Sequence, residues 1–306
     1  MATLTEIKSL EDIHYKTKIK SYWFFFIIPF IIMTAFLNYY PIGMELKSYM
    51  KKNLKGSACL PDYDELRIEW LMPKLVVTDL TLPPSCLGKT GDPLKFSYVN
   101  LNFHLISFSP FGIPFKLQTE VNGQPLSIYF VQGIGKRLIR IKDQSIVLSR
   151  LESIIGGKFK LSGHVKLDFN GVFSNSNSLL DLAFKAQTKD LQIPPQNIEG
   201  FTTPSIKVND LFIEATAQNS SKINVKKMIL GDPQSPMRAN FKGTIDFQKN
   251  NLGSSPLNLT GEIAFAQSFK ETVPLVDLFF QNFLQKDGFY QIRLGGMLGQ
   301  PKLMNL

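Results

Sequence analysis

Histidine and cysteine are almost missing from this sequence, three of one and two of the other in 306 residues. That shortage removes most metal chemistry. A structural zinc site takes four Cys or His ligands. Here His14 lies ahead of a long apolar run, and the remaining His104, His164, Cys59 and Cys86 match no metal spacing. The Gly-x-Ser-x-Gly nucleophile elbow does not occur. Gly88-Lys89-Thr90 ends like a phosphate-binding loop, but the glycine required five residues earlier is Pro83, so the backbone nest cannot form. His104 and His164 fall on the polar phase of alternating stretches, where solvated surface histidines belong. Asp62, Asp64 and Glu65 read as a loop cluster rather than a catalytic group. The expectation is a protein that is not an enzyme and has no catalytic residue, metal or cofactor.

Charge is also sparse, at 19% of residues, and leans basic with a net +9. Within the first forty residues, Lys8, Lys16, Lys18 and Lys20 against Glu6, Glu11 and Asp12 leave +1, so the remainder carries +8. The lysines are dispersed and no nucleic-acid motif accompanies them. Nucleic acid is therefore not expected as a partner, and a face near anionic headgroups, or simple solubility, accounts for the charge.

One stretch has no charge at all: Ser21 to Tyr40, SYWFFFIIPFIIMTAFLNYY. About twenty apolar residues at ~1.5 Å of rise span the ~30 Å core of a bilayer. Tyr22, Trp23, Tyr39 and Tyr40 bracket it with interfacial rings, and Pro29 at its centre is tolerated in lipid. The other reading, a cleaved secretory signal, lacks its small-x-small site, since Asn38-Tyr39-Tyr40-Pro41 follows. The expected organisation is a cytoplasmic tail over 1–20, a transmembrane helix over 21–40 and a β-rich domain over 41–306. Lysines on both flanks nearly tie the positive-inside count. Ile42 to Leu54 reads as an amphipathic helix leaving the membrane, stopped by Gly56.

From Arg67 onward the apolar period is two. Leu101 and Phe103 alternate with Asn100, Asn102 and His104, and Leu161, Val165 and Leu167 with Lys160, Ser162, His164 and Lys166. Phe241, Ile245 and Phe247 and then Ile263 and Phe265 repeat the pattern. Turn residues separate the runs, as at Asn122-Gly123 and Asn170-Gly171. The fold expected is mainly β: a curved, mostly antiparallel sheet of about a dozen strands with a few flanking helices. Gly163, Gly243 and Gly261 each fall in phase with the apolar face, where they let a strand bend. Helices are expected at Ile146 to Ile155 and at Val273 to Gln285. Cys59 and Cys86 are candidates for a disulfide contributing up to ~3.5 kcal/mol in the chain-entropy model. Two unrelated buried thiols are the alternative.

The strand Pro73-Lys74-Leu75-Val76-Val77-Thr78-Asp79-Leu80-Thr81-Leu82, the segment from Gly157 to Leu167, Gly243-Thr244-Ile245 and the ending Leu294-Gly295-Gly296-Met297-Leu298-Gly299-Gln300-Pro301 resemble the type II secretion system protein N (GspN) family. That resemblance covers most of the chain. It implies a single-pass accessory component of the bacterial inner membrane, with its C-terminal domain in the periplasm and other secretion-system subunits as partners. Leu75, Val77, Asp79, Leu80 and Leu82 also resemble the AsmA-like proteins, which implies a phospholipid carried along an apolar face. Two functions therefore stand: a periplasmic scaffold of the secretion machine, or a lipid-binding or lipid-transfer protein. The face concerned is lined by Leu101, Phe103, Leu161, Val165, Leu167, Phe241, Ile245, Phe247, Ile263 and Phe265. A scaffold fills that face with its own side chains, whereas a carrier leaves it open.

Overall fold

The structure, a computed structural model, describes residues 61–69, 74–87, 93–104, 107–108, 111–151, 160–198, 201–249, 252–273, 275–283 and 285–305, together with 27–33 and positions 35, 44, 45, 48 and 52. Eighteen strands follow one another: β1 (Glu65–Glu69), β2 (Lys74–Leu82), β3 (Leu94–Phe103), β4 (Ser107–Phe108), β5 (Phe111–Val121), β6 (Gln124–Gly133), β7 (Lys136–Val147), β8 (His164–Ser174) and β9 (Leu179–Ile193). After these come β10 (Gln196–Ile198), β11 (Phe201–Thr203), β12 (Ile206–Gln218), β13 (Lys222–Leu230), β14 (Met237–Asp246), β15 (Leu257–Phe265), β16 (Gln285–Lys286), β17 (Phe289–Met297) and β18 (Gln300–Met304). Two short helices, α1 (Gln267–Thr272) and α2 (Leu275–Phe280), lie between β15 and β16.

Sixteen strands make one open sheet in which nearly every strand pairs with its neighbours in sequence; β10 and β11 form a separate hairpin. The pairings are antiparallel, as short connections require. Among the described residues the sheet ends in β1 on one side and in β16 and β18 on the other.

Register shows why this meander has one greasy and one wet side. Residues directly opposite in a ladder share a face. Ile68 faces Leu75, Leu75 faces Leu101, Leu101 faces Leu117 and Leu117 faces Ile128. In the second half Leu167 faces Ala186, Ala186 faces Ile213, Ile213 faces Met228 and Met228 faces Phe241. The opposite side pairs charges, Asp168 with Lys185, Lys185 with Glu214 and Glu214 with Lys227. A two-residue alternation kept in register through short turns therefore builds one apolar face along the whole sheet.

Toward that face the sheet bends. Phe173 near the end of β8 and Phe247 just past β14 have ring centroids 6.1 Å apart. Four strand spacings separate β8 from β14, roughly 19 Å along the sheet at ~4.8 Å each. Two phenylalanine side chains close that gap only if the strands curl around the apolar side. Register shifts between Ile141 and Gln144, between Lys207 and Leu211 and between Val225 and Met228 supply the bends. Two of the expected glycines sit where neighbouring strands approach closely. Gly243 has φ +150°, and a Cβ on it would lie 2.2 Å from the Asn258 carbonyl oxygen; a Cβ on Gly261 would lie 2.6 Å from Phe241 Cδ1.

The eighteen strands exceed the dozen expected: β4, β10, β11 and β16 are too short to show a period, and β6, β7, β9 and β13 do not alternate cleanly. The helix expected from Ile146 is also corrected. Ile146 and Val147 end β7, where they pair with Val165 and His164, and a 3-10 turn over Leu148–Leu151 follows. Ile146 and Val147 are β-branched and in strand register, which outweighs the helical spacing of the apolar residues after them. Of the helix expected over Val273 to Gln285 only α2 is found; α1 precedes it, Pro274 stands between the two in sequence, and Gln285 already belongs to β16. A proline denies the backbone a donor and displaces its predecessor from helical geometry.

Most of the expected span over 21–40, and of the helix from 42 to 54, lies outside the described residues. Residues 27–33 are helical, with Ile28, Phe30, Ile31 and Ile32 exposed. Among the described residues no helix is long and apolar enough to cross a membrane.

Candidate functional site: an apolar trough

The chemistry-bearing place on this sheet is a space rather than a reactive group. Over β7, β8, β9, β12 and β13 the bent apolar face leaves a trough of about 470 Å³ with no polar residue in its lining. Its floor is set by the ladder. Val165 lies against Ile146, Leu167 against Ala186, Ala186 against Ile213, and Leu211 against Leu230. Ala186, a small residue in a row of large ones, lines the trough although its neighbours largely cover it.

Each boundary is built from named contacts. At one end Leu191, Ile206 and fully buried Val208 pack with Leu148, Met237 and Phe269 of α1. In the other direction the face runs on past the trough to where the Phe173 and Phe247 rings meet across the curl. On the C-terminal flank is a filled core, in which Phe241, Leu257, Leu259, Tyr290 and Ile292 pack beneath Phe280 of α2. Phe265 stacks on Phe269 at 5.8 Å and meets Phe280 edge-on at 5.1 Å. The two short helices thus cap the greasy face near β14, β15 and β17, with Phe269 of α1 reaching the end of the trough.

The ten expected face residues therefore separate. Leu161, Val165 and Leu167 line the trough. Phe241, Ile245, Ile263 and Phe265 belong to the filled core, and Phe247 lies outside the trough, in the ring pair with Phe173. Leu101 and Phe103 lie far along the sheet, where Phe103 packs on Phe115 at 5.0 Å and Phe115 on Phe130 at 5.9 Å. The residues not anticipated are those of β9, β12 and β13, chiefly Phe184, Ala186, Val208, Leu211, Met228 and Leu230. In β9, Leu182, Phe184 and Ala186 do alternate, but Thr188 continues the phase and Lys189-Asp190 follows, which hides the strand.

His164 is exposed, as its polar phase implied, yet it has a partner that spacing did not reveal. Its Nδ1 lies 2.7 Å from Asp190 Oδ2, its backbone N–H donates to Asp190 Oδ1 at 2.9 Å, and the Thr188 hydroxyl donates to the same oxygen at 2.6 Å. The Thr188 hydroxyl first, and then His164, hold the Asp190 carboxyl down to about 2. A carboxylate depressed in the folded state adds stability above its unfolded value near ~3.9, and loses it as pH falls toward its folded value. Acid unfolding of Asp190→Asn is therefore expected to be flatter than wild type between about pH 4 and 2, measured by circular dichroism at fixed urea. The arrangement is a strap between the start of β8 and the end of β9, beside the trough.

Cys86 sits in a 3-10 turn over Pro84–Leu87, while Cys59 lies outside the described residues. Compared with family models, curated proteins and solved structures, the chain matches none.

Proposed function

We propose that this chain is a membrane-anchored lipid-binding protein whose trough receives an acyl chain. The carrying observation is the open space of about 470 Å³ bounded only by apolar side chains. Burial in such a place favours methylene over water by ~0.8 kcal/mol per group. At about 30 Å³ for a water-sized group, the trough takes on the order of fifteen methylenes, the scale of one fatty-acyl chain. An apolar cavity offers water no hydrogen-bond partner, which favours a greasy occupant further.

The secretion-scaffold alternative asks for a face filled by the chain's own side chains. The cluster around Ile292 answers to that description, but the trough does not, and so the lipid reading is preferred. Placement in a bacterial inner membrane, with the sheet in the periplasm, is part of the same proposal. The uncharged run over 21–40 and the exposed apolar side chains of helical residues 27–33 support it. The full chain is expected to stay in the membrane pellet through alkaline carbonate extraction; release to the supernatant would contradict the anchor.

The binding test uses Leu167→Asp and Met228→Asp, two half-buried positions on opposite sides of the trough. Each puts a carboxylate where an acyl chain would lie, at a cost of several kcal/mol if it stays dry. Both variants are expected to keep the wild-type far-ultraviolet spectrum and to lose copurifying phospholipid, measured by native mass spectrometry. Lipid retained at the wild-type ratio in both would contradict the proposal.

A further inference from the structure

Among the described residues, the apolar face carries a cation, Arg137, that no carboxylate compensates. Arg137 of β7 lies opposite Phe173 on β8 and Gln132 on β6. It shares the phase of Ile139 and Ile141, so it stands on the greasy side and not among the lysines of the wet side. Its Nη1 donates to Asn177 Oδ1 at 2.7 Å, and Asn177 holds φ 62° in the turn from β8 to β9. Its Nε is shut away from water and has no acceptor among the described residues. No carboxylate among the described residues pairs with it; the ion pairs of β7 and β8 are made by Asp143 with Lys166 and by His164 with Asp190.

A guanidinium half-sunk in an apolar wall, with one bond made, is costly unless an anion completes it. Its planar donors suit the paired oxygens of a phosphate or carboxylate. Its place in the ladder says where such an anion would come from. The apolar phase of β7 runs from Arg137 through Ile139 and Ile141 to Ile146, and Ile146 lines the trough. On the adjacent strand, Phe173 opposite Arg137 is six residues from Leu167 in the trough, about 20 Å at ~3.3 Å per residue. One molecule with an anionic head and a long tail spans that distance.

We propose that Arg137, steadied by Asn177, is the headgroup site of the trough and selects lipids bearing a phosphate or carboxylate. This rests on the acyl-chain reading above and adds its chemical preference.

The test offers the detergent-solubilised full chain an equimolar mixture of phosphatidic acid and diacylglycerol with identical tails, and counts bound lipid by native mass spectrometry. Wild type is expected to retain phosphatidic acid about tenfold over diacylglycerol, the scale of one charge-assisted contact. Arg137→Met is expected to retain both about equally, and Arg137→Lys to restore part of the preference. Inorganic phosphate in excess is expected to leave bound phosphatidic acid in place, because the tail holds the head at the site. Equal retention by wild type, or an unchanged preference in Arg137→Met, overturns the headgroup site while the bound diacylglycerol leaves the trough standing. A preference abolished by inorganic phosphate overturns the link between Arg137 and the tail. Retention of neither lipid by wild type overturns both readings.

Discussion

Ala186→Trp is expected to give a folded chain that carries no lipid. Ala186 lies in the floor of the trough between Leu167 and Ile213, lining its space with 5% of its surface exposed. An indole placed there occupies that space without introducing charge and buries apolar surface of its own. Displacing even four methylenes forfeits about 3 kcal/mol at ~0.8 each, roughly two hundredfold in affinity. Because the ring fills an existing void rather than a packed core, thermal unfolding is expected within a few degrees of wild type. Loss of lipid together with gross unfolding would mean that the trough is closed in solution.

The largest effect on stability is expected at Phe241→Ala, where unfolding free energy falls by about 3 to 5 kcal/mol. Phe241 is 6% exposed and belongs to the cluster with Leu259, Tyr290, Ile292 and Phe280 of α2. Its ring lies across Gly261, where any side chain would collide with it. Truncating it opens a cavity that the neighbouring strand cannot refill, since Gly261 has nothing to extend. The urea midpoint measures the loss, with a wild-type slope showing that the same surface unfolds. Phe241 and Leu167 share a face and a two-residue phase, yet one is core and the other is trough wall. A polar substitution at Phe241 reports folding, and the same change at Leu167 reports lipid.

That distinction also marks how far the sequence carries. Leu101, Leu167, Phe241 and Ile263 announce strands by strict alternation, and the sheet places all four on the expected apolar side. A curved sheet is expected from the in-phase glycines; what alternation could not show was where the curl brings strands together. Phe173 meets Phe247 because bulges at several register shifts bend five strands together, and a bulge adds one residue without a strong composition mark. Ile146 looked helical through its spacing to Leu151 and Ile154, and only its partner Val165 makes it a strand residue. Ala186 and Arg137 are informative through what faces them, which is a property of pairing. Cys59, one of the two disulfide candidates, and most of the membrane run over 21–40 lie outside the described residues.

The most direct measurement is photocrosslinking of the full chain with a phospholipid carrying a diazirine near the end of its acyl chain, followed by peptide mapping. Adducts are predicted on the β8, β9, β12 and β13 peptides holding Leu167, Ala186, Leu211 and Met228, and they should vanish in Ala186→Trp. Adducts confined to residues 21–40, with none on those four strands, would contradict the trough as a lipid site.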